Sequence, residues 1–265
     1  SPSASIVGGL LFGYGMALAG NCGYGALARL GGGDLRSFMI VLITGLSAYI
    51  ALGGPLSGLR LWAFGTPQTP LTSPDFATLL SRITGVSTTS IGIGVGILIL
   101  VGSLLDRKLL KKPGSIFWGI VVGIAIVSGW AGTQWVTSNG FEPTNVISHT
   151  FSAPLGETIL YAMTSSGNQI SFGTGSVLGV LVGAFIGSFS KGHFRWEACE
   201  DHRELRRQIL GAAIIGIGAV IAVGCSVGQG LSAFSVLAYS APVTVAAILL
   251  GAAIGLKQMI IGFSR

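Results

Sequence analysis

One interrupted apolar segment occurs twice in this chain, and each copy ends at a cysteine. The first runs through Gly8, Gly13, Gly15, Cys22 and Gly25, the second through Gly211, Gly216, Gly218, Cys225 and Gly228. Both read G-x4-G-x-G-x6-C-x2-G at an offset of 203 residues, and Ala19/Ala222 and Ser37/Ser240 keep the register. Glycine fills 43 of 265 positions, so a single shared glycine carries no weight; four in register around two of the three cysteines do. In hydrocarbon, backbone that leaves its helix is tolerated only where it is buried in protein or lines a cavity. Duplicated, interrupted apolar segments therefore point to a translocation site.

Composition agrees with lipid as the solvent. Half the residues are hydrophobic, 9% are charged and the mean hydropathy is +0.76, against about 25% charged residues in a soluble domain. The net charge of +6 is scattered singly or in short loops. It reads as loop charge that orients a membrane protein rather than as a nucleic-acid surface. Three cysteines without CxxC spacing indicate neither a disulfide framework nor a zinc site, and no metal or cofactor is expected. No Walker motif is present for direct use of ATP. Residues 1–265 are expected to form a single transmembrane transport domain, an all-α, polytopic integral membrane protein.

Apolar runs able to cross or nearly cross a bilayer lie at about 5–21, 36–54, 89–105, 116–137, 173–190, 209–225 and 235–255. Gly8 to Cys22 and Gly211 to Cys225 are each ~22 Å of helix at about 1.5 Å per residue, short of a full crossing. Both helices are expected to break at depth, at their cysteine. The stretch from Phe141 to Ser171, with Glu142-Pro143, His149 and Glu157, is apolar but interrupted and is predicted to be a re-entrant hairpin.

Seven crossings put Arg29, Arg36, Arg107, Lys108, Lys111, Lys112, Lys191, Arg195, Arg203, Arg206, Arg207, Lys257 and Arg265 on one face, and only Arg60 and Arg82 on the other. The rich face is then cytoplasmic. The first copy runs toward that face and the second away from it, so the copies are antiparallel. Repeat 1 (about 5–54) and repeat 2 (about 208–255) thus form an inverted repeat with broken helices, as in many secondary transporters. Cys22 is expected toward the cytoplasmic side of a constriction and Cys225 toward the outside, as successive stations on one path.

Glycines at such spacing let helices approach closely in lipid. Gly25 and Gly228 lie past the break, where a turn leaves backbone N–H groups free for an anion. A neutral thiol offers a weak S–H donor, whereas a thiolate repels an anion, so both thiols are expected to be protonated as an anion passes. Asn21, Gly23 and Tyr24 beside Cys22, and Ser226 and Gln229 beside Cys225, supply auxiliary donors. Cys199 belongs to a charged, solvated stretch and is left out of the path. Arg29 is the only cation near either motif, which argues against an activated, persulfide-forming cysteine.

The segments Gly8 to Asp34 (GGLLFGYGMALAGNCGYGALARLGGGD) and Gly211 to Ser232 (GAAIIGIGAVIAVGCSVGQGLS) resemble the paired signatures of the YeeE/YedE sulfur-transport family. EPTNVISHTFSAPLGETILYAM and ISFGTGSVLGVLVGAFIGSF are similar to its central region. The resemblance implies a multi-pass protein of the bacterial inner membrane, an hourglass-shaped helical bundle, and thiosulfate uptake along a cysteine-lined path through Cys22 and Cys225. It implies no enzyme activity. It further implies a small cytoplasmic sulfur-carrier partner of the TusA type, and a third pathway cysteine on an N-terminal helix to which nothing from Ser1 onward corresponds. Transport of another sulfur or selenium species, or a membrane-embedded sulfurtransferase, are the alternatives.

Overall fold

The structure, a computed structural model, describes residues 2–65, 75–105, 107–140, 145–167, 169–197 and 201–262. Cys199, Glu142 and Pro143 lie outside the described residues. The helices, in chain order, are α1 (Pro2–Ala19), α2 (Gly23–Gly31), α3 (Leu35–Leu52), α4 (Leu56–Phe64), α5 (Phe76–Thr84), α6 (Thr88–Leu104), α7 (Arg107–Leu110), α8 (Pro113–Asn139), α9 (Ser152–Met163), α10 (Phe172–Ser190), α11 (His202–Ile221) and α12 (Ser240–Gly262). A π-helical stretch, Gly228–Ala233, follows α11. Among the described residues there is no named strand, and the chain is all-α.

Each of the seven predicted apolar runs overlaps a helix. By length and composition five are sufficient to cross a membrane: Pro2–Gly31, Leu35–Leu52, Pro113–Asn139, Phe172–Ser190 and Ser240–Gly262. The pair Phe76–Thr84 and Thr88–Leu104, bent by 116°, passes the same test only when its two helices are taken together, as a broken span or a re-entrant loop. Helix α11 does not qualify, because its first two turns carry Arg203, Glu204, Arg206 and Arg207 and only its second half is apolar. Large apolar side chains on the long helices face outward, among them Leu98 (73% exposed), Ile124 (63%) and Leu249 (66%). In water such a surface aggregates; against acyl chains it is the expected one. The protein is a multi-pass membrane protein.

The chain forms two units, the first comprising Ser1–Gln68, Thr150–Gly230 and Pro242–Arg265. At its centre α1 and α11 lie antiparallel, in contact backbone to backbone. A Cβ on Gly8 would stand 2.8 Å from the Gly218 carbonyl, and one on Gly15 would stand 2.8 Å from that of Gly211. The contact is reciprocal, since Gly211 and Gly218 hold the motif positions of Gly8 and Gly15. Helix α12 runs parallel to α1 and α3 parallel to α11. There the carbonyl of Ile248 and amide of Ala252 crowd Gly13, while the carbonyl of Thr44 and amide of Ala48 crowd Gly216. Without a hydrophobic drive between helices in lipid, this close van der Waals contact is what holds them together. Between the glycines, Phe12 and Ile215, also 203 apart, are both 0% exposed.

Helix α9 packs on α3 in the same manner, Gly156 against the Gly45 carbonyl and Tyr49, and on the start of α10, where Ser171 Oγ donates to Glu157 Oε2 at 2.9 Å. At the end bearing Arg36, Leu35 N donates to the Glu197 carbonyl at 3.0 Å and Arg195 N to that of Gly32 at 3.3 Å. Arg29, Arg36 and Arg195, assigned to one face by charge counting, are thereby tied to one end of this unit.

The second unit comprises Thr69–His149 and Leu231–Ala241. The 116° bend between α5 and α6 is made by Gly85 at φ 72° and by Ser87, whose hydroxyl accepts the Ser90 amide at 3.3 Å. Phe76 N donates to the Leu237 carbonyl at 2.9 Å, and the Phe76 and Tyr239 rings stack edge to face at 4.4 Å. The predicted re-entrant hairpin departs from helical form on its entering arm. Residues 145–149 have no regular secondary structure and run back along α8: Ile147 N reaches Thr133 Oγ1 (3.2 Å), Ser148 Oγ the Ile126 carbonyl (2.9 Å) and His149 Nε2 the Ala125 carbonyl (3.1 Å). Thr133 Oγ1 takes both backbone groups of Ile147, which a helix would have paired internally, donating to its carbonyl at 2.8 Å and accepting its amide at 3.2 Å.

Candidate functional site: two cysteine-capped helix breaks

Both cysteines lie in the first unit, and the same local geometry surrounds each. Cys22 is the N-cap of α2, with φ −86° and ψ 169°, and its Sγ accepts the Gly25 amide at 3.3 Å. Cys225 Sγ accepts the Gly228 amide at 3.4 Å. The backbone repeats the match: Ala26 N donates to the Cys22 carbonyl at 2.9 Å and Gln229 N to that of Cys225 at 2.8 Å. In each motif sulfur takes the place of the oxygen that serine brings to a helix N-cap. It accepts at the longer distance its radius imposes.

This geometry corrects one expectation. The amides of Gly25 and Gly228 do not stand free for an anion, because each is directed at the sulfur three residues earlier. What the break leaves without an intrahelical acceptor are the first amides, those of Gly23 and Tyr24 in α2 and of Ser226 and Val227, which open the helical stretch 226–235 that contains the π-helical residues. The positive end of a helix is therefore presented beside each thiol.

Asn21 and Gln229 serve the carbonyl side of the breaks. With the Asn21 amide oriented to suit its neighbours, its nitrogen donates to the Gly20 carbonyl at 3.2 Å, and its oxygen accepts from Arg29 Nε and Nη1 at 3.1 and 3.2 Å. Gln229, 5% exposed, donates through Nε2 to the carbonyls of Val223 (2.9 Å) and Ala222 (3.3 Å). Each break thus has an amide side chain covering carbonyls that the helix has released. Gly23 is buried at the first position of α2, where a Cβ would stand 3.3 Å from Leu155 Cδ1. Ser226 is half-buried beside Cys225.

Cys22 and Cys225 belong to one apolar cluster with Phe12, Ala19, Leu27, Phe151, Leu155, Ile215 and Ala219. Both are free thiols. Cys225 is 1% exposed, whereas Cys22 is half-buried. Sequence reasoning missed Thr150, whose Oγ1 lies 3.6 Å from Cys225 Sγ and against Gly228. It also missed Phe151, whose ring meets that of Tyr24 at a centroid distance of 4.9 Å. The visible signal was modest: two hydroxyl residues, Thr150 and Ser152, shortly before Pro154 in the first turn of α9.

Residues 1–254 match the model of the family described as Sulphur transport. The chain belongs to that family. Two curated relatives are similar over 245 residues, each at 25% identity: a protein named thiosulfate transporter TsuA from Spirochaeta thermophila and one of the same name from Escherichia coli K12. The alignments take in 89% and 86% of this chain, and 71% and 66% of the relatives. The chain thus spans about two thirds of the length of the proteins it resembles. Family and relatives are named for transport, and those names support a sulfur-transport function for this chain.

Proposed function

We propose that the protein imports thiosulfate, or a closely related sulfur anion, across the bacterial inner membrane along a path on which Cys225 and Cys22 are successive stations. The observation that carries this reading is the paired capping geometry: each thiol accepts the amide three residues on, which leaves its S–H directed elsewhere, and each stands beside the first amides of a helix. Thiosulfate carries a soft terminal sulfur and hard oxygens. A thiol suits the first, and N–H groups with a helix dipole suit the second. The names of the two relatives support the choice of anion.

The antiparallel, reciprocal packing of α1 on α11 supports an inverted repeat of about 5–54 and 208–255, with two halves rocking about the shared centre as the route to alternating access. The hourglass shape and the TusA-like sulfur carrier, docking on the basic cytoplasmic end, follow from the resemblance. Uptake of radiolabelled thiosulfate by cells lacking their own sulfur-anion importers tests the reading. Wild-type protein restores uptake, Cys22→Ala and Cys225→Ala each reduce it at least ten-fold, and the double variant abolishes it. Undiminished uptake by the double variant would exclude the relay.

A further inference from the structure

The segment joining the two thiols carries a hydroxyl that the relay does not use. Thr150 touches Cys225, the Phe151 ring meets Tyr24, and Ser152 Oγ lies 3.9 Å from where a Cβ on Gly23 would stand. Three consecutive residues therefore reach from one cysteine motif to the other. Ser152 is 1% exposed, and its Oγ finds no hydrogen-bond partner among the described residues.

Its place in the helix explains why. A serine or threonine inside a helix satisfies itself on the carbonyl four residues back, as Thr158 does on Pro154 at 2.7 Å. Ser152 opens α9, so no carbonyl of its own helix lies behind it. Two buried alcohols near it are paired: Thr174 Oγ1 lies 3.2 Å from Ser171 Oγ, and Thr44 donates to the Ala212 carbonyl at 3.3 Å. Thr244 Oγ1, buried in the same unit against the α1 seam, shares with Ser152 the lack of a partner among the described residues, but it lies on α12, away from both cysteine motifs. A buried hydroxyl normally has a partner. The amides of Ser152 and Ala153 likewise precede the first intrahelical bond, which Leu155 N makes to the Phe151 carbonyl at 3.0 Å, and Pro154 contributes no amide. An O–H donor and the positive end of a 12-residue helix thus converge in the apolar cluster that holds both thiols.

We propose that Ser152 Oγ and the opening amides of α9 form the station for the oxygen-bearing end of the sulfur anion as it moves between Cys225 and Cys22. The inference rests on the function proposed above and adds a specificity-determining residue to it. Cysteines receive the soft sulfur, and Ser152 with α9 receives a hard oxygen. The site would thus distinguish a sulfur anion that carries oxygens from sulfide, which has none.

The test measures thiosulfate uptake kinetics for Ser152→Ala and Ser152→Thr in the full chain, with Cys22→Ala alongside and with folded yield followed by detergent gel filtration. Loss of one hydrogen bond to an anion predicts a KM about ten-fold higher for Ser152→Ala, maximal rate within two-fold of wild type, and recovery of KM in Ser152→Thr. A KM for Ser152→Ala equal to that of wild type, while Cys22→Ala is impaired, overturns the station and leaves the cysteine relay standing. Equal impairment of Ser152→Ala and Ser152→Thr also overturns it, because the hydroxyl is then not what matters. Absence of thiosulfate uptake by wild type removes the underlying reading itself.

Discussion

Val223 holds a left-handed φ of 56° at the motif position where Gly20 holds 77°. The two breaks demand the same backbone turn, and the chain meets the demand with glycine once and with a β-branched residue once. For an L-residue that conformation costs about 1–2 kcal/mol, and valine tolerates it least. Strain of this kind persists only where surrounding contacts over-determine it. Here the Gln229 amide on the Val223 carbonyl is one such contact.

The first prediction follows from that pair. Val223→Gly raises stability by up to about 1 kcal/mol, the relieved strain being partly offset by the extra freedom of an unfolded glycine. Gly20→Val lowers it by about 1–2 kcal/mol. Unfolding midpoints in detergent check both, and a loss in Val223→Gly as large as that in Gly20→Val contradicts the account.

Glycines on the α1–α11 seam differ sharply from those facing outward. Gly15→Val and Gly218→Val drive a side chain into the opposing backbone and are expected to abolish folded yield, whereas Gly183→Val enters open space and leaves yield near wild type. Fluorescence size-exclusion profiles of the three variants decide the matter.

The amide caps give a third expectation. Removing the Gln229 amide by Gln229→Leu leaves the Ala222 and Val223 carbonyls uncapped in a largely buried setting, at a cost of about 1–3 kcal/mol. Gln229→Glu keeps the size but turns a donor into an acceptor facing carbonyls, so it is expected to be worse still. Thermal unfolding orders the series as wild type, Leu, Glu.

Exposure separates the two thiols. In a Cys199→Ala background a small methanethiosulfonate reagent modifies Cys22 before Cys225, because Cys22 is half-buried and Cys225 is 1% exposed. Peptide mass spectrometry over a time course reads the order. Cys225 reacting first is the contrary outcome.

Thr150 offers a fifth. Thr150→Val conserves volume but removes the hydroxyl at 3.6 Å from Cys225 Sγ and is expected to slow thiosulfate uptake several-fold, while Thr150→Ser retains most of it. Initial uptake rates compare the two.

Some of this was legible in the residues because lipid allows so few solutions. A run of apolar residues must be a helix there, so each run placed from the sequence overlaps one. Glycine spacing marked the faces along which helices meet, and the cysteines marked where α1 and α11 stop. The irregular form of the hairpin's entering arm was not legible, since its partners are Thr133, Ile126 and Ala125 on another helix. Asn21 and Gln229 looked like donors for a ligand. Their carbonyl partners appear only once the helix ends are built, and only then do Gly25 and Gly228 turn out to point at sulfur.

Taken alone, the sequence determined an all-α membrane chain with two matched breaks, because helix periodicity, hydropathy and a repeated motif are local properties. Tertiary structure alone decided what surrounds Cys22 and Cys225. Thr150, Phe151 and Ser152 come from a segment more than a hundred residues from Cys22 and about seventy from Cys225. Their approach depends on α9 finding its seam on α3, a long-range packing contact that no local pattern encodes.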